Sequence, residues 1–363
     1  MPAPPPAPAA PPDPSLRTLL RQLWGHLSRR RRVQLGMLLV VMLVSSVAEV
    51  VSLTAVLPFL AVLANPAGLW RQPLMQQWAP RLGITSAQEL LLPITLAFAL
   101  AAIGAGAIRL LTLWLNGRLA AAIGSDLSCE AYRRTLYQPY AVQVLRNSSS
   151  LIASISSDVN LVISVLNQLL LLLSSALIVV ALVGTLLVVD WAIAVVAGVV
   201  IALVYAAAMA GTKQALQQLG QRQVALNRQL IQSLQEGLGA IRDVLLDGSQ
   251  RFYAHTYRQA DQPLRRLGAQ AGFLSSYPRL VMEPTGMALI ALAAYLLVLQ
   301  GGVAKALPLL GALALGAQRL LPMAQKVYEG WAFTRNAKAS LMNVLALLAQ
   351  PLPVEALLRP PQP

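Results

Sequence analysis

The chain has 363 residues, 56% of them hydrophobic and only 12% charged, with a mean hydropathy of +0.61. A soluble domain carries about 25% charged residues, so the polar material needed to cover a globule of this size is missing and much of the surface must face lipid. The net charge of +14 comes almost wholly from arginine and reads first as a topology signal. One cysteine, Cys129, and two histidines, His26 and His255, exclude an internal disulfide and a zinc site at any usual spacing.

Residues 1–16 form a Pro-rich arm, with eight prolines between positions 2 and 14 and no apolar helix. Such a composition stays disordered, and the apolar run after it is too long for a cleavable signal peptide. A helix crosses the hydrocarbon core in about 20 residues. Stretches of that length with few charges occur at 33–64, 90–115, 159–189, 191–212, 280–300 and 306–325, a predicted set of six spans within a membrane domain over 17–350. A second Pro-rich segment, 351–363, closes the sequence. Between the first two spans, Trp70, Leu74, Trp78 and Leu82 recur every fourth residue and predict an amphipathic helix, lying in the membrane interface or packed on its neighbours.

Charge orients this set. Arg71, Arg81 and Lys305 fall on one side of the spans, and Arg109 and Arg319 lie inside them; every other basic residue shares the opposite side with both termini. The positive-inside rule therefore places both ends and the two large loops in the cytoplasm. Those loops, 43 residues at 116–158 and 67 at 213–279, are long for an ordinary secondary transporter. Leu216, Leu219, Val224, Leu230, Leu234, Leu238, Ile241 and Leu245 keep helical spacing without a proline between Gln214 and Gln262. The spacing predicts membrane helices that run on into the cytoplasm, turn at Asp247-Gly248 in one loop and at Pro139 in the other, and return. In the first loop Ser148–Ser150 are candidate N-caps. Two long helical hairpins of this kind form either a docking structure or a plain four-helix bundle without a partner.

Ionisable groups inside a membrane cost about 2.5 kcal/mol or more and are functional candidates by default. Glu49 lies near the middle of the first span with Ser45 and Ser52 on its face; Arg109 lies in the second, Arg279 and Glu283 flank Pro284 at the start of the fifth, and Arg319 sits mid-way along the sixth. Three arginines facing one cavity would suit a phosphate or pyrophosphate headgroup, because guanidinium binds such groups bidentately. The alternative is that Glu49–Arg109 and Arg279–Glu283 are buried ion pairs. Arg319 has no acidic partner within its span. Gly104 and Gly106 suit close helix packing. No nucleophile–base or metal constellation is visible, so no catalytic or metal-binding residue is assigned, and lipid headgroups account for the basic surface without nucleic acid.

Six spans with long loops after the second and fourth resemble the transmembrane domain of an ABC exporter of the type-1 exporter fold. Tyr137-Gln138-Pro139-Tyr140, Ser157-Asp158-Val159-Asn160 and the run Glu236–Leu246 are similar to that family's hairpin segments. Ala317-Gln318-Arg319-Leu320-Leu321-Pro322, with Pro58-Phe59 and Asn65-Pro66, resembles bacterial flippases for lipid-linked oligosaccharides. The resemblance covers about 17–350 and implies an all-α membrane protein of the bacterial inner membrane, working as a homodimer. It further implies coupling segments at Gln138, Pro139 and Tyr140 and at Gly248, Phe252 and Tyr253, docking on nucleotide-binding domains. Such domains are not found here: none of the four lysines follows a glycine, as a phosphate-cradling Gly-Lys-Ser/Thr loop requires. ATP and Mg²⁺ are then expected on a partner domain, with the ATPase on a separate polypeptide or the sequence a truncated or split form. An ATP-independent membrane scaffold, or a truncated remnant, is the other reading.

Overall fold

The computed structural model describes residues 14–64, 70, 86, 88–144, 148–189, 191–301 and 303–352; side chains are not described at 57, 61, 64, 188, 189, 191–194, 196, 197, 289, 293, 296–298, 300, 301 and 303–316. The described residues are helical almost throughout and contain no strand. A short helix α1 (Leu16–His26) leads into α2 (Arg29–Thr54) and α3 (Val56–Ala64). Ser15 and Ser28 cap α1 and α2, accepting hydrogen bonds from the Thr18 and Arg31 amides at 3.2 and 3.4 Å, a local use of serine hydroxyls at first-turn N–H groups. The run 33–64, read as one span, is broken at Ala55. Pro58 cannot supply the N–H that the Thr54 carbonyl would need to continue the helix, and the Thr54 hydroxyl turns back to the Val50 and Val51 carbonyls.

Helix α4 (Leu91–Leu136) has 46 residues and is about 69 Å long at 1.5 Å per residue. Its end is tied to a short helix α5 (Tyr140–Val144), then to α6 (Ser148–Ala153), a π-helical turn at Ser154–Asp158, and α7 (Val159–Val189). Ser148–Ser150 form the first turn of α6 instead of preceding it as caps. Helix α8 (Trp191–Gly239) has 49 residues, α9 (Ile241–Leu246) is a single short turn, and α10 (Gln250–Gly301) has 52. At about 74 and 78 Å, α8 and α10 greatly exceed a hydrocarbon layer of about 30 Å and form a long hairpin closed at Asp247-Gly248-Ser249, where Gly248 takes φ of +62°. That conformation is easy for glycine and strained for other residues. Helices α11 (Val303–Asn336) and α12 (Lys338–Leu348) complete the chain order.

Among the described residues, four helices are long and apolar enough to cross a membrane: Arg29–Leu60, Leu91–Leu136, Ser148–Leu187 and Gly198–Gly239. The runs 280–300 and 306–325 fall within α10 and α11, and most side chains of the latter run lie outside the described residues. So do the predicted interfacial helix after Trp70, all but three positions of the Pro-rich arm, and nearly all of 351–363.

The two largest interior seams among the described residues hold the bundle. One gathers Leu19 and Leu23 of α1, Leu38 and Met42 of α2, Ile123 and Leu127 of α4, Val159 and Val162 of α7, and Leu341 and Val344 of α12. The other joins Tyr205 and Leu216 of α8, Met282 of α10, and Ala324 and Tyr328 of α11. Neither α1 nor α12 stands out in the sequence as an element of its own; their apolar faces are short and are used against each other. Close helix approach occurs at Gly220, whose added Cβ would lie 1.8 Å from the Asn336 carbonyl oxygen, and at Gly124 and Gly330. Gly104 and Gly106 have open space beside them and do not serve packing within this chain.

Prolines in α10 leave carbonyls that the helix itself cannot pair. Pro278 has no N–H to offer Leu274 four residues earlier. The buried Tyr328 hydroxyl of α11 donates to that carbonyl at 2.8 Å and lies 3.1 Å from the Thr212 hydroxyl of α8. One side chain thus joins three helices at a backbone group that proline set free.

Candidate functional site

The interior charges divide into two groups. Glu49 is 6% exposed on α2, in line with Ser45 and Ser52, both buried. Its partner is Arg319 of α11, with Nη1 3.3 Å from Glu49 Oε1 and Nη2 donating to Ser52 Oγ at 3.2 Å. Arg319 Nη1 is itself buried without a well-aligned hydrogen bond, so part of the guanidinium's bonding capacity is unused. Arg109 is therefore not the partner of Glu49. It is exposed on α4, close enough to Lys326 of α11 for the two positive charges to repel.

Arg279 and Glu283 line a cleft of about 350 Å³ between α8, α10 and α11, without forming an ion pair with each other. Its wall adds Tyr205, Met282, Met287, Gln318, Leu321, Pro322 and Gln325, an amphipathic lining with polar groups at several points. Gln318 faces this cleft while Arg319, one residue on, turns about 100° around the helix axis toward α2. Within one chain the three arginines do not share a single cavity, because they lie on different faces of different helices. Tyr205, Gln318 and Gln325 carried no sequence signal for this role; uncharged residues inside an apolar run look alike until the neighbouring helix is known.

The two hairpin tips are the other candidate site. At the first, Tyr140 is 83% exposed and Pro139 is exposed beside it. Gln138 is half-buried and engaged: its amide donates to the Arg134 carbonyl at 2.9 Å and to the Pro351 carbonyl at 3.0 Å. Arg134, ion-paired with Glu130 at 2.6 Å, also donates to the Leu348 and Gln350 carbonyls. The end of α12 is thereby tied to the first tip. The sequence offers no sign of this, since the bonds join positions more than 200 residues apart. At the second tip Phe252 is 66% exposed and stacks edge-on against Tyr253 at 5.4 Å, while Tyr253 is half-buried over Gly237. Leu245 and Leu246 are exposed next to them.

Outside the spans, His26 is an exposed residue, yet partial desolvation of its ring and the nearby Arg134 hold the imidazole below its ordinary value of 6.5, with Glu130 opposing. At the start of α2, Arg31 donates through Nε and Nη2 to the two Asp126 carboxylate oxygens at 2.7 and 3.2 Å, a bidentate contact that fixes α2 against α4. Cys129 is a free, exposed thiol, and no group of three metal-ligating side chains occurs among the described residues.

Long paired helices with exposed aromatic tips thus run on from apolar helices long enough to cross a membrane. Residues 51–303 match the family model described as the ABC transporter transmembrane region. The chain belongs to this family. No curated protein matches it. As an ABC transporter transmembrane region it is an all-α, multi-pass membrane protein of the type-1 exporter fold and a transmembrane component of an ABC exporter. Members of the family work with nucleotide-binding domains and usually dimerise. Glu49 and Arg319 lie outside the matched segment, whereas Arg109, Arg279, Glu283 and both tips lie within it.

Proposed function

We propose that the chain is the membrane half of an ATP-driven exporter or flippase that moves an amphipathic, anionic or lipid-linked substrate by alternating access. Two copies would enclose the pathway, in the inner membrane of a bacterium, with both termini and both hairpins in the cytoplasm. The domain organisation is a membrane domain over 17–350 with six spans between Pro-rich ends. ATP and Mg²⁺ would be held by nucleotide-binding domains that dock on the tips. The chain's own part is mechanical: rigid helices transmit closure of those domains as rigid-body motion of the spans.

The observation that carries this reading is the pair of exposed aromatic tips, Tyr140 with Pro139 and Phe252 beside Tyr253, at the ends of helices tens of ångströms long. Exposed aromatics clustered on a rigid mount are the usual energetic centre of a protein interface. Gly248 supplies the turn that presents Phe252, and Gln138 holds Pro139 and Tyr140 against the end of α12. For cargo, the support is the amphipathic cleft with Arg279 and Glu283, the under-bonded Arg319 beside Glu49, and Arg109 exposed on α4.

The test is co-expression with candidate nucleotide-binding subunits, followed by co-purification and ATPase assay. Phe252→Ala is expected to lower capture and stimulated ATPase activity by at least ten-fold, the scale of one interface hot spot. Unchanged capture with Phe252→Ala and Tyr140→Ala combined would refute the docking assignment. Cargo chemistry is read separately, as flipping of anionic against zwitterionic lipid-linked probes in liposomes. The paired variant Glu49→Gln/Arg319→Gln is used there, so that no unpaired charge is left buried.

A further inference from the structure

We propose that the outward face of α1, with the start of α2, is a binding site for the phosphate headgroup of an anionic phospholipid. Helix α1 spends its apolar face inward: Leu19 and Leu23 are buried in the seam with α4 and α12. At 100° per residue, Arg17, Arg21 and Trp24 fall together on the opposite side, and all three are exposed. Trp24 is 48% exposed, high for tryptophan, and Arg32 of α2 sits over its ring at 6.0 Å. Arg32 Nη2 also donates to the Gly25 carbonyl at 3.1 Å, which holds that guanidinium on the same face.

Among the described residues this cluster has no acid in salt-bridge contact: Arg17, Arg21, Arg29, Arg30 and Arg32 form no salt bridge, whereas Arg31 is taken by Asp126. From position 14 to position 48 the sequence contains no Asp or Glu. Clustered, solvated guanidinium groups repel one another and attract a shared anion.

Position selects which anion. Directly after Arg32, α2 leaves Val33, Met37, Val40, Val44 and Val47 each more than half exposed. Those side chains face hydrocarbon, so the arginines just before them stand at headgroup level. Tryptophan among basic residues is the composition favoured at that depth. A soluble polyanion would have to reach a surface already at the bilayer boundary, while a lipid phosphate is there by construction. The site rests on the membrane placement of α2 and not on the proposed cargo or ATPase partner, so failure of the transport or docking tests leaves it standing.

The experiment uses the purified full chain in neutral detergent. Native mass spectrometry titrates phosphatidylglycerol, phosphatidylcholine and, in a third arm, inorganic phosphate. Wild type is expected to retain phosphatidylglycerol in preference to phosphatidylcholine, with affinity falling as salt rises. Each arginine near an anionic lipid surface is worth about five-fold. Arg17→Gln/Arg21→Gln/Arg32→Gln is thus expected to weaken phosphatidylglycerol binding on the order of a hundred-fold. The corresponding lysine triple keeps most of it, and Arg258→Gln on α10 changes nothing. Equal binding of the two lipids, or undiminished phosphatidylglycerol binding in the glutamine triple, overturns the proposal. So does inorganic phosphate competing at the lipid's own concentration, which would mean a site for a free anion. Should the triple variant fail to fold, Arg21→Gln alone decides, since its side chain is solvent-facing: unchanged affinity is refutation.

Discussion

The joint made by Tyr328 can be broken with a single oxygen atom. Tyr328→Phe keeps the ring in its fully buried site but removes the hydroxyl that serves the Leu274 carbonyl at 2.8 Å. Thr212 keeps its own bond to the Ala208 carbonyl at 2.7 Å, so the loss centres on Leu274. Pro278 cannot supply the missing N–H, and a buried carbonyl left without a donor costs about 1–3 kcal/mol. In a chain of this size that is a fall of a few degrees in melting temperature, read by intrinsic fluorescence of the detergent-purified protein. The decisive arm is the double variant. In Tyr328→Phe/Pro278→Ala the substituted alanine brings a backbone N–H that can reach the Leu274 carbonyl within the helix, so the hydroxyl should no longer matter. A thermodynamic cycle should then show a coupling of about 1 kcal/mol or more between the two positions. If Tyr328→Phe costs the same whether position 278 carries proline or alanine, the freed carbonyl is not what the tyrosine is there for.

Three further outcomes are expected. Gly220→Ala pushes a methyl group to 1.8 Å from the Asn336 backbone oxygen and forces α8 from α11, so folded yield should collapse; Gly124→Ala meets the Ile163 side chain, which can move, and should be milder. Asp158→Ala strips the buried carboxylate that accepts from Ser340 at 2.7 Å and Asn343 at 2.9 Å. Losing two bonds to a charged group costs about 3 kcal/mol or more, and trypsin should then cut after Lys338, which is buried in the wild type. For His26, partial desolvation and Arg134 disfavour the charged ring, so the folded chain binds its proton less readily than the unfolded chain. Stability is then full above the ordinary 6.5 and declines as pH falls below it. His26→Gln should flatten that part of a melting-temperature profile.

The class of the molecule was legible in the residues because lipid imposes a compositional rule that few other environments share. Uncharged runs such as 159–189 could be read directly: with no water to satisfy the backbone, such a stretch must be helical, and α7 spans Val159–Val189. The hairpin turn at Asp247-Gly248 was equally readable, since glycine at positive φ is a local property of the chain. Local chemistry also explains the break of the first span: Pro58 stood out in the sequence as part of a resemblance, but its effect on the Thr54 carbonyl became visible only in the fold.

Pairing between distant positions was another matter. Glu49 and Arg319 were each conspicuous, yet a charge in a span advertises its own cost and not its partner's number; the nearer arginine, Arg109, proved to lie elsewhere. The same holds for Arg134 and Gln138 on the end of α12, and for Tyr328 on the carbonyl left by Pro278. Periodicity defines a helix and its apolar faces, but the rotation of one helix against another depends on side chains from both, acting together. The sequence by itself therefore determined that these are membrane helices prolonged into stiff hairpins. Only the tertiary structure decided which buried charge meets which, because that choice is made by packing across segments hundreds of residues apart.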